Sequence, residues 1–279
     1  MGSVRRLRGV AAVAGSLLVA AALIGATGGA SSPPPDVPRY VALGDSLAVS
    51  YQPGGPSDQG YAERVWRQER RPLPSLALVK LGRGGETAAS MNHSPRPGAS
   101  QLERAEGVLR TTRTALVTID IGANEIESCQ RGNGFDGACV ERGLGSVRRN
   151  LPRVIRGLRA AAHGSVPIVG INYYNYFLGG WNDGPGGRLL ARRSVSVERR
   201  MNALLGRIYR QAGVPVADVE DAFATDRLDG RVPPAVTRVC HWTWTCEDSG
   251  DDHANSAGYA VIAREVIRAL HRSRRGAAG

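Results

Sequence analysis

The sequence predicts an α/β fold in which helices cover both faces of a parallel sheet of five strands. Short runs rich in Val, Ile and Leu alternate along the chain with longer amphipathic stretches, which is typical of βαβ units. Glycine or polar residues directly follow the first three apolar runs, at the points where the strands of a parallel sheet end. The chain has neither an internal repeat nor a mid-chain linker. We therefore expect most of its 279 residues to form one domain.

The N-terminal segment predicts export from the cell. Arg5, Arg6 and Arg8 precede an apolar run over residues 10–24, and small residues follow it. This order of a basic, an apolar and a small-residue region indicates a secretory signal peptide over residues 1–30. The apolar run is short for a membrane anchor, so we expect no stable membrane span after cleavage. A Sec-type route is expected, and the paired arginines leave a twin-arginine route open.

The elements of the domain follow from the alternation of apolar runs and amphipathic stretches. A proline-rich leader, residues 31–38, precedes the predicted domain at residues 39–279. The predicted strands are residues 39–43, 75–81, 114–121, 166–173 and 214–219, and the predicted helices are residues 61–70, 101–110, 140–162, 189–212 and 256–272. Right-handed crossovers between such strands give the order 2-1-3-4-5, which is that of a flavodoxin-like three-layer α/β/α sandwich. Loops are predicted at residues 51–60 and 174–187, and over the segments that contain the cysteines.

Composition and charge narrow the range of partners. The formal net charge is +11, and the basic residues are nearly all arginine. These arginines are spread through the predicted helices and do not cluster with aromatic residues, so we expect no nucleic-acid partner. No cofactor is expected, and we predict a monomer.

The four cysteines fit an oxidising compartment. They permit three pairings, of which local closure of each short loop is the most economical. We therefore predict the disulfides Cys129–Cys139 and Cys240–Cys246. Neither pair has the C-x₂₋₄-C spacing of a zinc site, and no metal is expected.

Reactive side chains lie at both ends of the predicted domain. Ser46 follows the first strand, and His253 precedes the last helix. Acyl transfer by a serine needs a base that takes the hydroxyl proton and a group that orients that base. His253 is the candidate base, and Asp251 or Asp252 is the candidate orienting group.

Donors for an oxyanion follow the second and third strands. Gly85 permits close approach of the backbone to a ligand, and Asn124 offers a neutral amide. Because the carboxyl ends of parallel strands meet at one edge of the sheet, these donors should lie near Ser46. The sequence therefore predicts a site for nucleophilic catalysis at this edge.

Four short motifs, in this order, resemble the conserved blocks of the SGNH or GDSL hydrolases. They are Gly44-Asp45-Ser46-Leu47, Gly84-Gly85-Glu86-Thr87, Gly122-Ala123-Asn124 and Asp251-Asp252-His253. The resemblance extends over residues 39–272 and is greatest to secreted GDSL-type lipases and esterases of actinobacterial type. It implies a flavodoxin-like sandwich and a serine esterase or lipase that works through an acyl-enzyme. The substrate would be a small-molecule, lipid or glycan ester.

The resemblance also implies a role for each matching residue. Ser46 would be the nucleophile and His253 the general base. The backbone N–H groups of Ser46 and Gly85 and the side-chain amide of Asn124 would form the oxyanion hole.

The sequence departs from the family pattern at three positions. Gly250 stands where the Asp of an Asp-x-x-His motif is expected, Ala254 replaces the usual proline, and Glu125 replaces an aspartate. The first departure leaves three candidates for the group that orients His253. We choose Asp251, with Asp252 and a backbone carbonyl as alternatives.

Other functions compete with a general esterase. The same machinery would serve a carbohydrate O-acetylesterase or a phospholipase, and a non-catalytic wall-binding module is the alternative from a different class. A nucleophile elbow of the α/β-hydrolase type is disfavoured because the sequence around Ser46 is not G-x-S-x-G. The aromatic segment at residues 173–177, with Trp181, either lines a substrate pocket or forms a covered loop.

Overall fold

A parallel sheet of five strands forms the centre of the fold, as seen in a computed structural model that describes residues 37–162, 166–248 and 250–276. The strands are β1 (Arg39–Gly44), β2 (Ala77–Lys80), β3 (Thr114–Asp120), β4 (Ile168–Ile171) and β5 (Val216–Ala217). Their order is β2-β1-β3-β4-β5, and every pairing is parallel. The predicted order 2-1-3-4-5 is therefore confirmed. The predicted signal peptide lies outside the described residues, as does most of the predicted leader.

The register of the strands brings their carboxyl ends together. Gly44 at the end of β1 pairs with Asp120 at the end of β3, and Asp120 pairs with Ile171 at the end of β4. The turns that leave these three strands consequently emerge side by side. The site is built from these turns.

Helices pack on the sheet in two groups. The helices are α1 (Ser46–Val49), α2 (Tyr61–Glu69), α3 (Ala88–Asn92), α4 (Gln101–Thr111), α5 (Asn124–Glu127), α6 (Gly137–Ala161), α7 (Gly184–Gln211), α8 (Val219–Ala222), α9 (Pro234–Trp242) and α10 (Ser256–Gly276). One group consists of α2, α8, α9 and α10, and the other of α3, α4, α6 and α7. Among the described residues, none of the helices has the length and apolar character needed to cross a membrane.

The apolar runs that predicted the strands are buried in the structure. Residues 40–43 of β1 are buried on both faces, and so is the second half of β3. Alternation of polar and apolar residues is accordingly weak in these strands, because helices cover the sheet on both sides. The confirmed fold is the three-layer α/β/α arrangement.

Several segments differ from the prediction. The predicted loop at residues 174–187 contains a 3₁₀ helix, Tyr176–Asn182, and α7 begins at Gly184 rather than at residue 189. The first turn of α7 is rich in glycine and contains a proline, so it lacks the apolar spacing by which a helix is recognised. Helix α9 also occupies a segment that was predicted as loop, and it begins where Pro233 and Pro234 set the backbone for a first turn.

Each disulfide fastens a helix end. Cys129, just after α5, is bonded to Cys139 in the first turn of α6. Cys240 in α9 is bonded to Cys246, which lies in the segment that leads toward His253. These are the pairs that local closure predicts.

Candidate active site

The turn after β1 presents Ser46 at the start of α1. Gly44 ends the strand at φ +149°, and a Cβ at this position would lie 2.4 Å from atoms of Asp120. Asp45 is the N-cap of α1, and its Oδ1 accepts the N–H of Leu47 at 3.0 Å. The turn therefore holds Ser46 in the first position of a helix.

A network of buried hydrogen bonds holds this turn in place. Asp120 Oδ2 accepts the N–H groups of Asp45 and Ala48, both at 3.2 Å, and Tyr61 donates its hydroxyl to Oδ1 of the same carboxyl group. Tyr173 donates its hydroxyl to Asp45 Oδ2 at 2.7 Å. Burial, together with the charge of Asp45, raises the pKa of Asp120 well above its ordinary value. The backbone that carries Ser46 is thus held by groups from β3 and from the segment after β4.

His253 lies in the segment before α10, with an acidic residue on each side of its Nδ1. Nδ1 is 2.8 Å from Asp251 Oδ1 and 3.0 Å from Asp252 Oδ1. The contact with Asp251 has the geometry of a hydrogen bond, whereas that with Asp252 is an ion-pair contact. Asp251 Oδ1 also accepts the backbone N–H of His253 at 2.9 Å, and the ring of Tyr51 lies 4.7 Å from the imidazole. The imidazole is therefore held through Nδ1, which leaves Nε2 for chemistry.

The charge of His253 reflects a balance of opposing effects. Burial lowers its pKa, but the hydrogen-bonding and electrostatic effects of Asp252 and Asp251 outweigh burial and raise the pKa to about 9. At neutral pH the free site therefore holds an imidazolium. A base at this position acts in the small fraction of molecules whose imidazole is neutral.

One cavity of about 40 Å³ brings together residues that lie far apart in the chain. Ser46 from the turn after β1, Asn124 from the turn after β3, Tyr173 from the segment after β4 and His253 all line it. Four residues with carboxyl groups and two further tyrosines also line the cavity, namely Asp45, Glu127, Glu198, Asp252, Tyr174 and Tyr176. The hydroxyl, the imidazole and the amide that the sequence predicted as one site thus share one cavity.

Gly85 and Asp251 do not line this cavity. Asp251 lies behind His253, in contact with Nδ1. Gly85 adopts φ +72°, a left-handed conformation that favours glycine, and lines an adjoining cleft of about 580 Å³. Because Asn124 and Asp252 line both spaces, the cleft that Gly85 lines adjoins the cavity.

Two contacts tie the Gly85 turn to the Asn124 turn. Asn124 donates one N–H of its amide to the carbonyl of Glu86 at 2.9 Å. Glu125, which replaces the family's aspartate, accepts the N–H of Ala88 at 2.6 Å through Oε1. Its Oε2 is buried and has no hydrogen-bond partner among the described residues, and burial raises the pKa of Glu125 to about 7. The longer side chain thus still reaches the first turn of α3.

Sequence reasoning missed several residues of the cavity wall. Glu127 lies one turn after Asn124 in α5, a spacing that could have indicated a shared face. Tyr173, Tyr174 and Tyr176 line the cavity, so the aromatic segment is not merely a covered loop. Glu198 lies within α7, and its one signal is a carboxylate on the buried stripe of an amphipathic helix.

One group of acidic and histidine side chains among the described residues is close enough to hold a metal ion. It consists of Asp251, Asp252 and His253, whose ligand atoms lie within 4.8 Å of one another. Both carboxylates already contact Nδ1 of the histidine. The arrangement fits the orientation of an imidazole, which accounts for all three side chains.

Comparison with solved structures shows the same fold. The chain is similar to a protein described as a GDSL-like lipase from Parabacteroides merdae, with 10% identity, TM-score 0.58, and coverage of 85% of this chain and 96% of the other. It is also similar to an extracellular lipase from Streptomyces rimosus (19% identity, TM-score 0.56, coverage 83% and 99%). An acetyl xylan esterase from Geobacillus stearothermophilus matches at 16% identity and TM-score 0.52, with coverage of 84% and 95%. At these identities the likeness concerns the fold.

The sequence itself identifies the family. No curated protein matches the chain. The profile of the GDSL-like lipase/acylhydrolase family matches residues 42–261, which is most of the chain and includes Ser46, Asn124 and His253. This chain is therefore an ester hydrolase that belongs to the GDSL-like lipase/acylhydrolase family.

Proposed function

We propose that this hydrolase is an exported serine esterase in which Ser46 is the nucleophile and His253 the general base. The observation that carries the proposal is the shared cavity, because Ser46 and His253 come from opposite ends of the domain and line it together with Asn124. A hydroxyl, an imidazole and an amide donor are the groups that acyl transfer by serine requires.

In the first half of the reaction, His253 takes the proton of Ser46 as Oγ attacks the ester carbonyl. The tetrahedral intermediate forms, and the imidazolium then protonates the departing alkoxide. This leaves an acyl group on Ser46. In the second half, His253 activates water, which attacks the acyl-enzyme and releases the acid.

The negative charge of each tetrahedral intermediate needs donors that are already in place. We assign this role to the backbone N–H groups of Ser46 and Gly85 and to the side-chain amide of Asn124. One amide hydrogen of Asn124 is directed to the Glu86 carbonyl, which fixes the plane of the amide and turns its second hydrogen away from that carbonyl. Donors fixed in this way cost no reorganisation during the reaction.

The two acidic neighbours of His253 have separate roles in this proposal. Asp251 orients the ring, because it makes the hydrogen bond to Nδ1 and is itself anchored by the His253 backbone N–H. Asp252 lines the cavity and contributes charge, since it is the larger source of the rise in the pKa of His253. A backbone carbonyl is not needed to orient the ring.

Export is supported by the predicted signal peptide and by the two disulfides, which form and persist in oxidising compartments. The extracellular lipase from Streptomyces rimosus has the same fold. We propose that the mature protein, residues 31–279 with its domain at residues 39–279, acts outside the cell as a monomer.

A carbohydrate O-acetylesterase is the second candidate, and the size of the cavity favours it. A volume of about 40 Å³ holds roughly three water-sized groups, which is close to an acetyl group. An acetyl xylan esterase is among the proteins of the same fold. A phospholipase would have to place its longer chain in the adjoining cleft.

Replacement of Ser46 by alanine tests the proposal. Ser46→Ala should reduce kcat for a short-chain p-nitrophenyl ester by more than about 10⁴-fold, because it removes the nucleophile and leaves only the oxyanion donors and binding. Ser196→Ala, which alters an exposed serine of α7, is the matched control and should retain activity. Hydrolysis by Ser46→Ala at the wild-type rate would remove Ser46 from the mechanism.

A further inference from the structure

The wall of the catalytic cavity is acidic in a chain that is strongly basic. The chain has 36 basic residues of the Lys and Arg types against 25 acidic ones. Nevertheless the described residues that line the cavity include Asp45, Glu127, Glu198 and Asp252, none of them is Lys or Arg, and the imidazolium of His253 is already matched by Asp252. The reaction as proposed uses Asp252 for the charge of His253 and Asp45 for the turn that carries Ser46. Glu127 and Glu198 have no part in it.

Glu198 is a buried carboxyl group that faces the cavity. It lies in α7 with 3% of its surface exposed. Its carboxyl group forms neither a hydrogen bond nor an ion pair with any residue in the described part of the chain. Burial, followed by the charges of Glu220 and Glu127, raises its pKa to about 8. Because an unpaired buried carboxyl group destabilises the fold, its retention at this place points to a ligand.

Glu127 supplies a second carboxyl group from α5. It lines both the cavity and the adjoining cleft, as do Tyr176 and Asp252. Burial and the neighbouring Asp252 raise the pKa of Glu127 to about 7. The path from the cleft to Ser46 therefore passes between carboxyl groups and tyrosine rings.

We propose that this cavity binds a small ammonium group of the substrate, so that the preferred substrates are esters with a cationic amine close to the scissile carbonyl. The inference deepens the proposed function and rests on it. An ammonium group would compensate the charge of Glu127 and Glu198, and tyrosine faces attract cations through their ring quadrupoles. A neutral hydroxyl group would hydrogen-bond to one carboxyl group but would leave the others uncompensated.

The size of the cavity limits the cation. About 40 Å³ accommodates a primary ammonium with one or two carbon atoms. The ammonium can belong to the acyl group, as in a glycine ester, or to the alcohol, as in an amino-alcohol ester. Binding adds no step to the hydrolysis: Glu198 gives its proton to solvent as the cation enters.

Matched pairs of charged and neutral esters test the proposal. In the acyl arm, ethyl glycinate is compared with ethyl propionate, in which a methyl group replaces the ammonium. In the alcohol arm, 2-aminoethyl acetate is compared with propyl acetate, in which a methyl group replaces the ammonium. The kcat/KM of each ester is measured at pH 7 by titration of the released acid.

In the wild-type enzyme we expect the ratio of kcat/KM for the charged ester to kcat/KM for the neutral ester to be at least about ten in one arm. That arm identifies the side of the ester that carries the ammonium. Glu198→Gln, which removes the charge and keeps the shape, should reduce this ratio by about tenfold. Glu141→Gln changes an exposed acid of α6 that pairs with Arg200 outside the cavity, and it should keep the wild-type ratio. A ratio near one in both arms, or an unchanged ratio in Glu198→Gln, would overturn the inference.

Inhibition by a free cation provides a second measurement that does not depend on turnover of a charged ester. Methylammonium chloride should inhibit hydrolysis of ethyl propionate competitively in the wild type, and about tenfold more weakly in Glu198→Gln at matched ionic strength. Equal inhibition of the two enzymes would also overturn the inference. Failure of the proposed function is distinguishable, because Ser46→Ala would then still hydrolyse the neutral esters.

Discussion

Replacement of the two aspartates beside His253 by asparagine, one at a time, separates the orientation of the imidazole from its charge. The pKa of His253 is raised from 6.5 to about 9, although burial acts in the opposite direction. Asp251 and Asp252 therefore supply at least the whole rise of about 2.5 pH units, which corresponds to about 3 kcal/mol. At pH 7 only about 1% of free enzyme has a neutral His253, so kcat/KM should rise about tenfold per pH unit until it levels near pH 9.

Asp252 is the larger source of the raised pKa of His253. Its loss should therefore lower the pKa seen in the pH profile of kcat/KM by at least about one unit. In Asp252→Asn the profile should therefore level near pH 8 or below, and kcat at pH 10 should stay within about tenfold of the wild type. Asp251→Asn should instead reduce kcat at pH 10 by at least about 10²-fold, since an asparagine amide can stabilise the wrong tautomer of the ring. The assay is hydrolysis of a short-chain p-nitrophenyl ester between pH 6 and pH 10, corrected for spontaneous hydrolysis.

The outcome assigns the orienting group. A large loss of kcat in Asp252→Asn, with a near-normal Asp251→Asn, would refute the assignment of Asp251. Losses below about tenfold in both variants would refute both carboxylates and favour a backbone carbonyl. If the pH profiles of both variants gave the wild-type pKa, Asp251 and Asp252 would not be the cause of the raised pKa of His253.

Two further predictions concern the turns that face Ser46. Asn124→Ala should reduce kcat by about 10²–10³-fold with little change in KM, because it removes one oxyanion donor; a loss below threefold would show that Asn124 does not act on the transition state. Glu125 has its pKa raised from 4.5 to about 7, so its contribution to stability is complete below pH 4.5 and is lost as the pH rises through 7. In thermal unfolding followed by circular dichroism, Glu125→Gln should therefore unfold at the wild-type temperature at pH 4. At pH 9 it should be more stable than the wild type by up to about 3 kcal/mol. Equal stability of the two proteins at pH 9 would contradict a buried charge on Glu125.

The fold could be predicted because its strands are buried on both faces. Residues 40–43 form a continuous apolar run and residues 114–121 are largely apolar, and such runs alternating with amphipathic helices are compatible with few topologies. Element ends were less predictable. The glycine-rich first turn of α7 lacks apolar spacing. Helix α9 has apolar residues on one face, but it is only nine residues long and follows a proline-containing segment that favoured a loop.

The site could be predicted only in part. Ser46 and His253 were found because each lies at an element boundary, where polar residues stand out against an apolar run. The sequence could not show that Asp251 and Asp252 both contact Nδ1, because this depends on the backbone path after the left-handed Gly250. Glu198 was missed for a different reason: its approach to the cavity depends on how α7 packs against the segment after β4, and that contact has no local signature.

Covalent labelling by a fluorophosphonate tests the central claim most directly, namely that the hydroxyl of Ser46 is activated by His253. The wild-type enzyme at pH 9 should gain one adduct, which peptide mass spectrometry should locate on Ser46. Ser46→Ala should not be labelled, and His253→Ala should react at least about 10²-fold more slowly. An adduct on another residue, or wild-type labelling of the Ser46→Ala variant, would contradict the account.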